Sequence, residues 1–560
     1  MKFSVCQSEK NLCKVTALYS CSVSVSGDSK GFIEKHFISN GIECSDSAVI
    51  KVSAIFDDSR QMTYVEESRN LTDEKYIINT VESDGYVNIV ITYSGKRALY
   101  YAVCDIARRI KNKVLEAGET VDYPLFATRG YIEGFYGTPW NFLQRVEMLK
   151  LMTAHRMNTY FYAPKDDIYH RERWSELYPE KELCGLRTLV EAAEEYFADF
   201  WFCIAPGLDM CYSDEEQFEK LVCKCKQLYG IGVRKFGLLL DDIPEQLTFD
   251  ADKQRFSEAV NAHAFVTNKL YDALKAIDGK IEMAMCPLQY HGRGDEYYIS
   301  RIGRSIEPSI KIFWTGHNIC SQELTAPEAA RFIEHTYHKP LYWDNFPVND
   351  AEMFNEMHIG YIMGRDPELY RYSSGLISNC MEFFECSKIP LLTVADYLWN
   401  PVCYDCDKSW KYALKTVVGE DWEAFSYFAE HLTVSCLKSD VSPMMVGAVV
   451  SARTHIMTGN LLQAAVTLGE YVDKVEECCE LIKKHKGEKL YTELERWSDK
   501  FLIFGEIMSL CRELITSDDT SVKDTIEEKL YQFIRLPETM TDFCFRETVE
   551  YLLSLTKEVQ

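Results

Sequence analysis

From about residue 123 to residue 415 the chain repeats one rhythm: a short apolar run, a loop, then an amphipathic segment. Strand candidates are 126–132, 159–163, 199–205, 235–240, 282–286, 310–314 and 341–344, with an eighth near 375–378. Such runs are too short for helices and suit buried strands. Amphipathic segments at 141–155, 186–197, 214–228 and 257–277 read as the intervening helices. Eight such units predict an α/β architecture with a central (β/α)8 TIM barrel. An open doubly wound sheet also alternates, but it would be expected to bring a phosphate-binding loop. The glycines at 27 and 31 lack that spacing.

The texture changes on both sides of this region. Residues 1–122 read as an α+β domain, with strands at 49–56, 76–81 and 86–91. A helix over 99–112 has Ala102, Ile106 and Ile110 on one face. Residues 58–75 are mostly polar. Over 416–560 strand patterns stop, and apolar-periodic stretches run 419–456, 461–485, 489–515, 521–536 and 541–555. Pro443 and Gly469 are isolated breakers. This predicts a C-terminal helical domain, a scaffold that could also form one wall of a groove. Its small basic patch, Lys483, Lys484, His485 and Lys486, reads as a solvated helix end.

Composition narrows the partners. A formal charge of -25 repels phosphate backbones and anionic bilayers, so neither nucleic acid nor membrane is expected as a partner. No apolar run reaches 18 residues, and the first residues lack the apolar core of a secretory leader. The expected location is cytoplasmic. The 21 cysteines are odd in number and scattered, which suits buried apolar thiols in a reducing compartment. Cys403 and Cys406 have zinc-like spacing, but no second pair follows at a convincing distance. No metal or organic cofactor is expected.

A barrel builds its active site at the C-terminal ends of its strands. The fourth strand there ends in Leu240-Asp241-Asp242, followed by Pro244, which stops any continuation. Adjacent carboxylates at a buried strand end repel, and their pKa values should be pushed apart. One stays ionised while the other holds a proton, as acid–base work requires. The plainer reading is a solvated strand-end turn. The other strand ends favour a site. The first carries Arg129-Gly-Tyr-Ile-Glu-Gly134-Phe-Tyr-Gly-Thr-Pro-Trp140, where Gly134 leaves its backbone open to a ligand. The second carries Lys165, Asp166 and Asp167; Lys165 suits either a sugar hydroxyl or a salt bridge. The third carries Asp209, read as a loop cap. The fifth and sixth carry Tyr290 and Thr315. The seventh carries Trp343, Asn345 and Asp350, and the eighth ends at Asn379. Trp343 can face a sugar ring or an acetamide methyl, or sit in the core. Asn345 and Asp350 can take hydroxyls. A neutral, aromatic pocket with two central carboxylates suits a carbohydrate.

Five blocks carry a resemblance. They are Glu133-Gly-Phe-Tyr-Gly-Thr-Pro-Trp140, Asn158-Thr-Tyr-Phe-Tyr-Ala-Pro-Lys-Asp-Asp167, Leu240-Asp-Asp242, Trp314-Thr-Gly316 and Trp343-Asp-Asn-Phe-Pro-Val-Asn-Asp350. Over about 123–405 the chain resembles glycoside hydrolase family 84, the protein O-GlcNAcases and their bacterial β-N-acetylglucosaminidase relatives. The flanking domains resemble that family's small N-terminal and helical C-terminal domains. The resemblance implies a retaining exo-β-N-acetylglucosaminidase in which the substrate's acetamide is the nucleophile and an oxazoline the intermediate. It implies that Asp241 orients the acetamide, while Asp242 is general acid and then general base. It implies that Gly134, Lys165, Asn345 and Asp350 hold sugar hydroxyls and that Tyr290 helps position the acetamide. Thr315 and Trp343 would shape the acetamide pocket, and Asn379 would lie near the acid or the sugar. The implied partner is a terminal β-linked N-acetylglucosamine on a glycan or glycopeptide. His317 and Cys380 stand where the family often has proline, and either could shift a pocket wall. Competing readings are a lectin-like barrel, disfavoured by the intact carboxylate pair, and a hexosaminidase for N-acetylgalactosamine or hyaluronan fragments. The acidic surface disfavours the polyanion.

Overall fold

The computed structural model describes residues 10–14, 22–66, 70–516 and 520–558. At its centre eight parallel strands close into a barrel: β1 (Thr128–Glu133), β2 (Thr159–Tyr162), β3 (Asp199–Ile204), β4 (Lys235–Leu239), β5 (Glu282–Cys286), β6 (Lys311–Trp314), β7 (Pro340–Asp344) and β8 (Gly375–Asn379). Closure is made by β8 on β1, with Thr128 opposite Gly375 and Ile132 opposite Asn379.

Period-two alternation divides the barrel side chains into two sets. Ile132, Phe161, Trp201, Cys203, Leu239, Ala284, Phe313, Leu341, Trp343 and Ile377 form one cluster that fills the barrel. Neighbours of opposite parity, such as Tyr131, Tyr160, Phe236, Leu238 and Leu240, join the larger cluster shared with the helices. Helix starts follow local capping chemistry. Asn141 caps Phe142–Ala154 in a capping box with Gln144, and Asp214 caps Glu215–Gly230 through the Glu216 and Gln217 N–H groups.

Before the barrel lies a seven-stranded mixed sheet, ordered 10–14, 116–122, 76–83, 86–93, 50–56, 22–25 and 43–44. Strands 76–83 and 86–93 form a hairpin whose Asp84 and Gly85 both take positive φ. Helix Lys96–Lys111 buries Tyr100, Tyr101, Val103 and Ile106 in the core of this sheet, and the Tyr100 hydroxyl reaches Thr153 of the barrel. Tyr101 donates to the Met157 carbonyl, and Arg156 pairs with Asp105 and Asp122.

After the barrel the chain is helical. The expected 419–456 stretch is broken: helix Trp422–Ala429 is separated from Pro443–Met457 by a turn segment that includes a Ser435–Lys438 bridge. The 489–515 stretch divides into Lys489–Glu493 and Glu495–Thr516. The basic patch is a helix end, where Lys483 pairs with Glu480 and His485 with Glu488. These helices share one continuous core with the barrel. The Glu493 carboxylate accepts the Glu385 and Cys386 N–H groups and so caps helix Phe384–Trp399, the helix that follows β8. Trp497 donates to the Asn355 carbonyl, just past the β7 loop. Among the described residues, no helix is long and apolar enough to cross a membrane, and no cluster of His, Cys, Asp or Glu has a metal-holding arrangement.

Candidate active site

The inward parity of each strand runs on past its C-terminal end. Leu239 points into the barrel, so Asp241 does too; Phe161 and Ala163 lead to Lys165, and Leu341 and Trp343 to Asn345. Ile132 leads to Gly134, Ala284 to Cys286, Phe313 to Thr315 and Ile377 to Asn379. A cavity of about 450 Å³ results, within the range of small-molecule pockets. All ten residues named from the sequence line it: Gly134, Lys165, Asp241, Asp242, Tyr290, Thr315, Trp343, Asn345, Asp350 and Asn379.

The two carboxylates differ in setting. The Asp241 side chain is 9% exposed and that of Asp242 38%. Lys165 Nζ stands 3.2 Å from Asp241 Oδ2 and 3.9 Å from Asp242 Oδ2. Burial works to raise the Asp241 carboxyl, but the Lys165 ammonium, a backbone N–H and the Arg171 charge together outweigh it and hold the group below its ordinary value. Burial likewise works against the Lys165 charge, and Asp241, Tyr136 and Asp242 together more than offset it. The other Asp241 oxygen, Oδ1, is buried and accepts no hydrogen bond from the described residues. A buried carboxylate oxygen without a donor is costly. Asp241 as a residue lines the cavity.

Asp242 has φ of 51°, in the left-handed region that side chains other than glycine seldom adopt. Its carboxylate is gripped from both sides. The Tyr136 hydroxyl donates to Oδ2 at 2.9 Å and the Tyr290 hydroxyl to Oδ1 at 3.3 Å. Arg171 donates to the Tyr136 oxygen and to the Asp242 carbonyl, both at 3.2 Å.

The remaining wall is cross-linked. Asn345 Oδ1 accepts the Trp343 indole N–H and the Asn379 amide, each at 3.0 Å, and its own amide donates to the Ile319 carbonyl. Asn379 Oδ1 accepts the Gly134 N–H. Thr315 spends its hydroxyl on the Asn318 carbonyl. Asp350 accepts the Tyr136 N–H, and burial raises its carboxyl.

Several expectations are corrected. Gly134 lines the cavity as expected, and a Cβ on it would stand 2.5 Å from the Trp343 ring, so the missing side chain also makes room for that tryptophan. Among the described residues Asp209 caps no loop; it accepts the Trp174 indole N–H. His317 is exposed and Cys380 fully buried, and neither lines the cavity. Lys165 takes the salt-bridge alternative while still lining the cavity. Tyr136 lies within the 133–140 block without a part the sequence assigns it, and Arg171 lies outside all five blocks. Strand parity would have found Phe313 and Cys286 on the cavity wall. The contacts of Arg171, from a loop with no period, left no such signal.

A family model described as beta-N-acetylglucosaminidase matches residues 129–430, more than half of the chain. The chain belongs to that family of glycoside hydrolases. It is 34% identical to the protein O-GlcNAcases of Rattus norvegicus and Mus musculus over 275 residues, 48% of this chain and 29% of theirs. The match thus spans under a third of the length of those curated relatives. Among solved structures, a mutant O-GlcNAc hydrolase of Thermobaculum terrenum is 29% identical with a TM-score of 0.72, covering 78% of this chain and 96% of that one. The protein CpGH84B is 26% identical with a TM-score of 0.80, covering 98% of this chain and 100% of that one.

Proposed function

We propose that the chain is a retaining exo-β-N-acetylglucosaminidase that works by substrate assistance and can remove O-linked N-acetylglucosamine from peptides or proteins. The observation that carries this reading is the buried Asp241 carboxylate, kept ionised by Lys165 and offering an unpaired oxygen beside the more exposed Asp242. An acetamide N–H donating to Asp241 Oδ1 would aim the acetamide oxygen at the anomeric carbon. As that oxygen bonds to the carbon, the glycosidic bond breaks, and Asp242 gives its proton to the departing oxygen. Asp241 remains anionic and stabilises the positive charge growing on the oxazoline ring. Water then attacks the same carbon, Asp242 takes its proton, and the ring opens to restore the acetamide. Two inversions give net retention.

The other lining residues take the sugar. Asn345 keeps one amide N–H for a hydroxyl after its three internal bonds, and Asp350 and Lys165 can hold others. Trp343 and Thr315 bound the acetamide methyl, Tyr290 steadies the acetamide and Asn379 supports Asn345 from behind. The substrate is a terminal β-linked N-acetylglucosamine, and no cofactor takes part. The exposed free thiols of Cys184 and Cys223 fit a reducing, cytoplasmic setting.

An aryl β-N-acetylglucosaminide should be cleaved and the matching β-glucoside, which has no acetamide, should not. Equal turnover of the two would rule out acetamide participation. Release of N-acetylglucosamine from a glycosylated serine peptide tests the natural class of substrate.

A further inference from the structure

Arg171 stands half-buried in the loop after β2, and its neighbours in sequence leave it little freedom. Asp167 accepts the Tyr162 and Tyr178 hydroxyls and the Tyr169 N–H. His170 is fully buried; its Nδ1 donates to the Cys203 carbonyl, and its own carbonyl accepts the Ala205 N–H. The residue before Arg171 is thereby fixed to the end of β3. Lys224 donates to the Tyr169 and Arg173 carbonyls, one on either side of Arg171. Tyr136, which Arg171 reaches, is held as closely. Its N–H donates to Asp350 Oδ2 at 2.8 Å, and the Lys165 ammonium lies 5.3 Å from the centre of its ring.

A guanidinium can only donate. The Tyr136 oxygen therefore accepts from Arg171, and its own proton is left for Asp242 Oδ2, 2.9 Å away. In the opposite sense a protonated Oδ2 would donate to the phenol. The Tyr136 oxygen would then accept twice, and its own proton would have no partner among the described residues. An oxygen already accepting at 2.9 Å is the carbonyl-like one when the acid is protonated. Oδ1 has the longer 3.3 Å contact from Tyr290, a phenol that the acetamide also engages in the proposed mechanism. The same Arg171 guanidinium holds the carbonyl of Asp242, where φ is 51°, so one side chain steadies both backbone and carboxyl.

We propose that Arg171 is a positioning residue that, through Tyr136, divides the two oxygens of Asp242: Oδ2 is held as an acceptor, and Oδ1 carries the proton given to the leaving group. The assignment rests on the acid–base role proposed for Asp242. In the first step the Oδ1–H bond breaks and its proton goes to the departing oxygen. In the second the Oδ1 anion takes a proton from the attacking water. Oδ2 keeps its bond from Tyr136 through both.

The test measures kcat/KM for a nitrophenyl and an alkyl β-N-acetylglucosaminide in Tyr136→Phe, Arg171→Met and the double variant. In each single variant the alkyl substrate should lose on the order of tenfold or more, the scale of a hydrogen bond to a charged group. The nitrophenyl substrate, which hardly needs the proton, should lose less than about threefold. The double variant should be within about threefold of the poorer single variant, because Arg171 acts through Tyr136. Arg171→Gln, a milder change, should show the same selectivity, so a failure of Arg171→Met to fold still leaves the proposal open to contradiction. Equal losses on the two substrates would mark a general structural role. Losses that multiply in the double variant would show Arg171 acting apart from Tyr136. Either result, or an alkyl substrate turned over within about twofold of the unchanged chain in the single variants, would overturn the proposal. Absence of turnover of both substrates by the unchanged chain would instead count against the proposed function.

Discussion

Asp241 and Asp242 are neighbours in sequence but face different surroundings, and the difference comes from single contacts. Lys165 biases Asp241 toward its anion. Replacing Lys165 by Met removes the largest influence opposing burial, so the Asp241 carboxyl should rise. If turnover needs the Asp241 anion, the acid limb of the pH–rate profile should move to higher pH in Lys165→Met. An unmoved limb would mean that Lys165 does not govern Asp241. Tyr136 is the second test at this scale. Tyr136→Phe removes one of the two phenols that hold the Asp242 carboxylate and breaks its link to Arg171. A hydrogen bond to a charged group contributes about 1.5–3 kcal/mol, so kcat should fall roughly 10- to 100-fold with little change in folding. A kcat within twofold of the unchanged chain would remove Tyr136 from the machinery.

At the scale of elements, strand parity explains what could be read from sequence. The apolar run Gly237–Leu240 identified β4, and counting by two from Leu239 puts Asp241 in the barrel mouth. The same count places Lys165, Thr315, Asn345 and Asn379 on the cavity wall. What could not be read lies in the loops, which have no period. The grip of Arg171 on Asp242 and the Asp209–Trp174 bond both depend on how loops fold over the barrel. The break in the expected 419–456 helix belongs here too; Ser442 and Pro443 begin a new helix, and Glu430 accepts from the Ser442 hydroxyl and the Met444 N–H. Trp497 tests the contact between tail and barrel. It is fully buried, stacks edge-on with Phe383 and holds the Asn355 carbonyl. Trp497→Ala should destabilise the protein by about 3–5 kcal/mol, the usual cost of emptying such a site. Thermal unfolding measures it, and a shift of under a degree would contradict the buttressing role.

Across the whole molecule, the flanking regions are joined to the barrel by buried polar contacts. Arg129 and Arg97 meet Glu74, and Arg156 meets Asp105 and Asp122. Burial opposes the Asp105 charge, but Arg109, Arg156 and Arg108 outweigh it and hold its carboxyl down to about 2. A folded pKa below the unfolded one, near 3.8, contributes stability that is complete above the unfolded value. That contribution, about 2 kcal/mol, is lost as pH falls from 4 toward 2. Asp122, whose carboxyl burial raises, acts in the opposite sense. Asp105→Asn should be less stable at neutral pH and should lose less further stability between pH 4 and 2. Equal acid slopes for the two proteins would show that this ion cluster does not control acid unfolding. The helical tail sends no charged pair into the cavity, yet it caps the helix after β8 and shares the barrel core. A chain ending near residue 415 would expose that core and should fail to fold.

The division of labour between the two carboxylates is the central claim, and leaving-group dependence tests it most directly. In Asp242→Ala a substrate with a nitrophenol leaving group should be glycosylated far faster than one with an alcohol, because a good leaving group needs little protonation. Its oxazoline should open slowly, and azide should speed that step without needing a base. In Asp241→Ala acetamide attack itself is weakened, so both substrates should slow and azide should not help. Each loss should be about 10²–10⁴-fold, the scale of a positioned acid–base group. Identical behaviour of the two variants across leaving groups and azide, or near-normal turnover in both, would contradict the account.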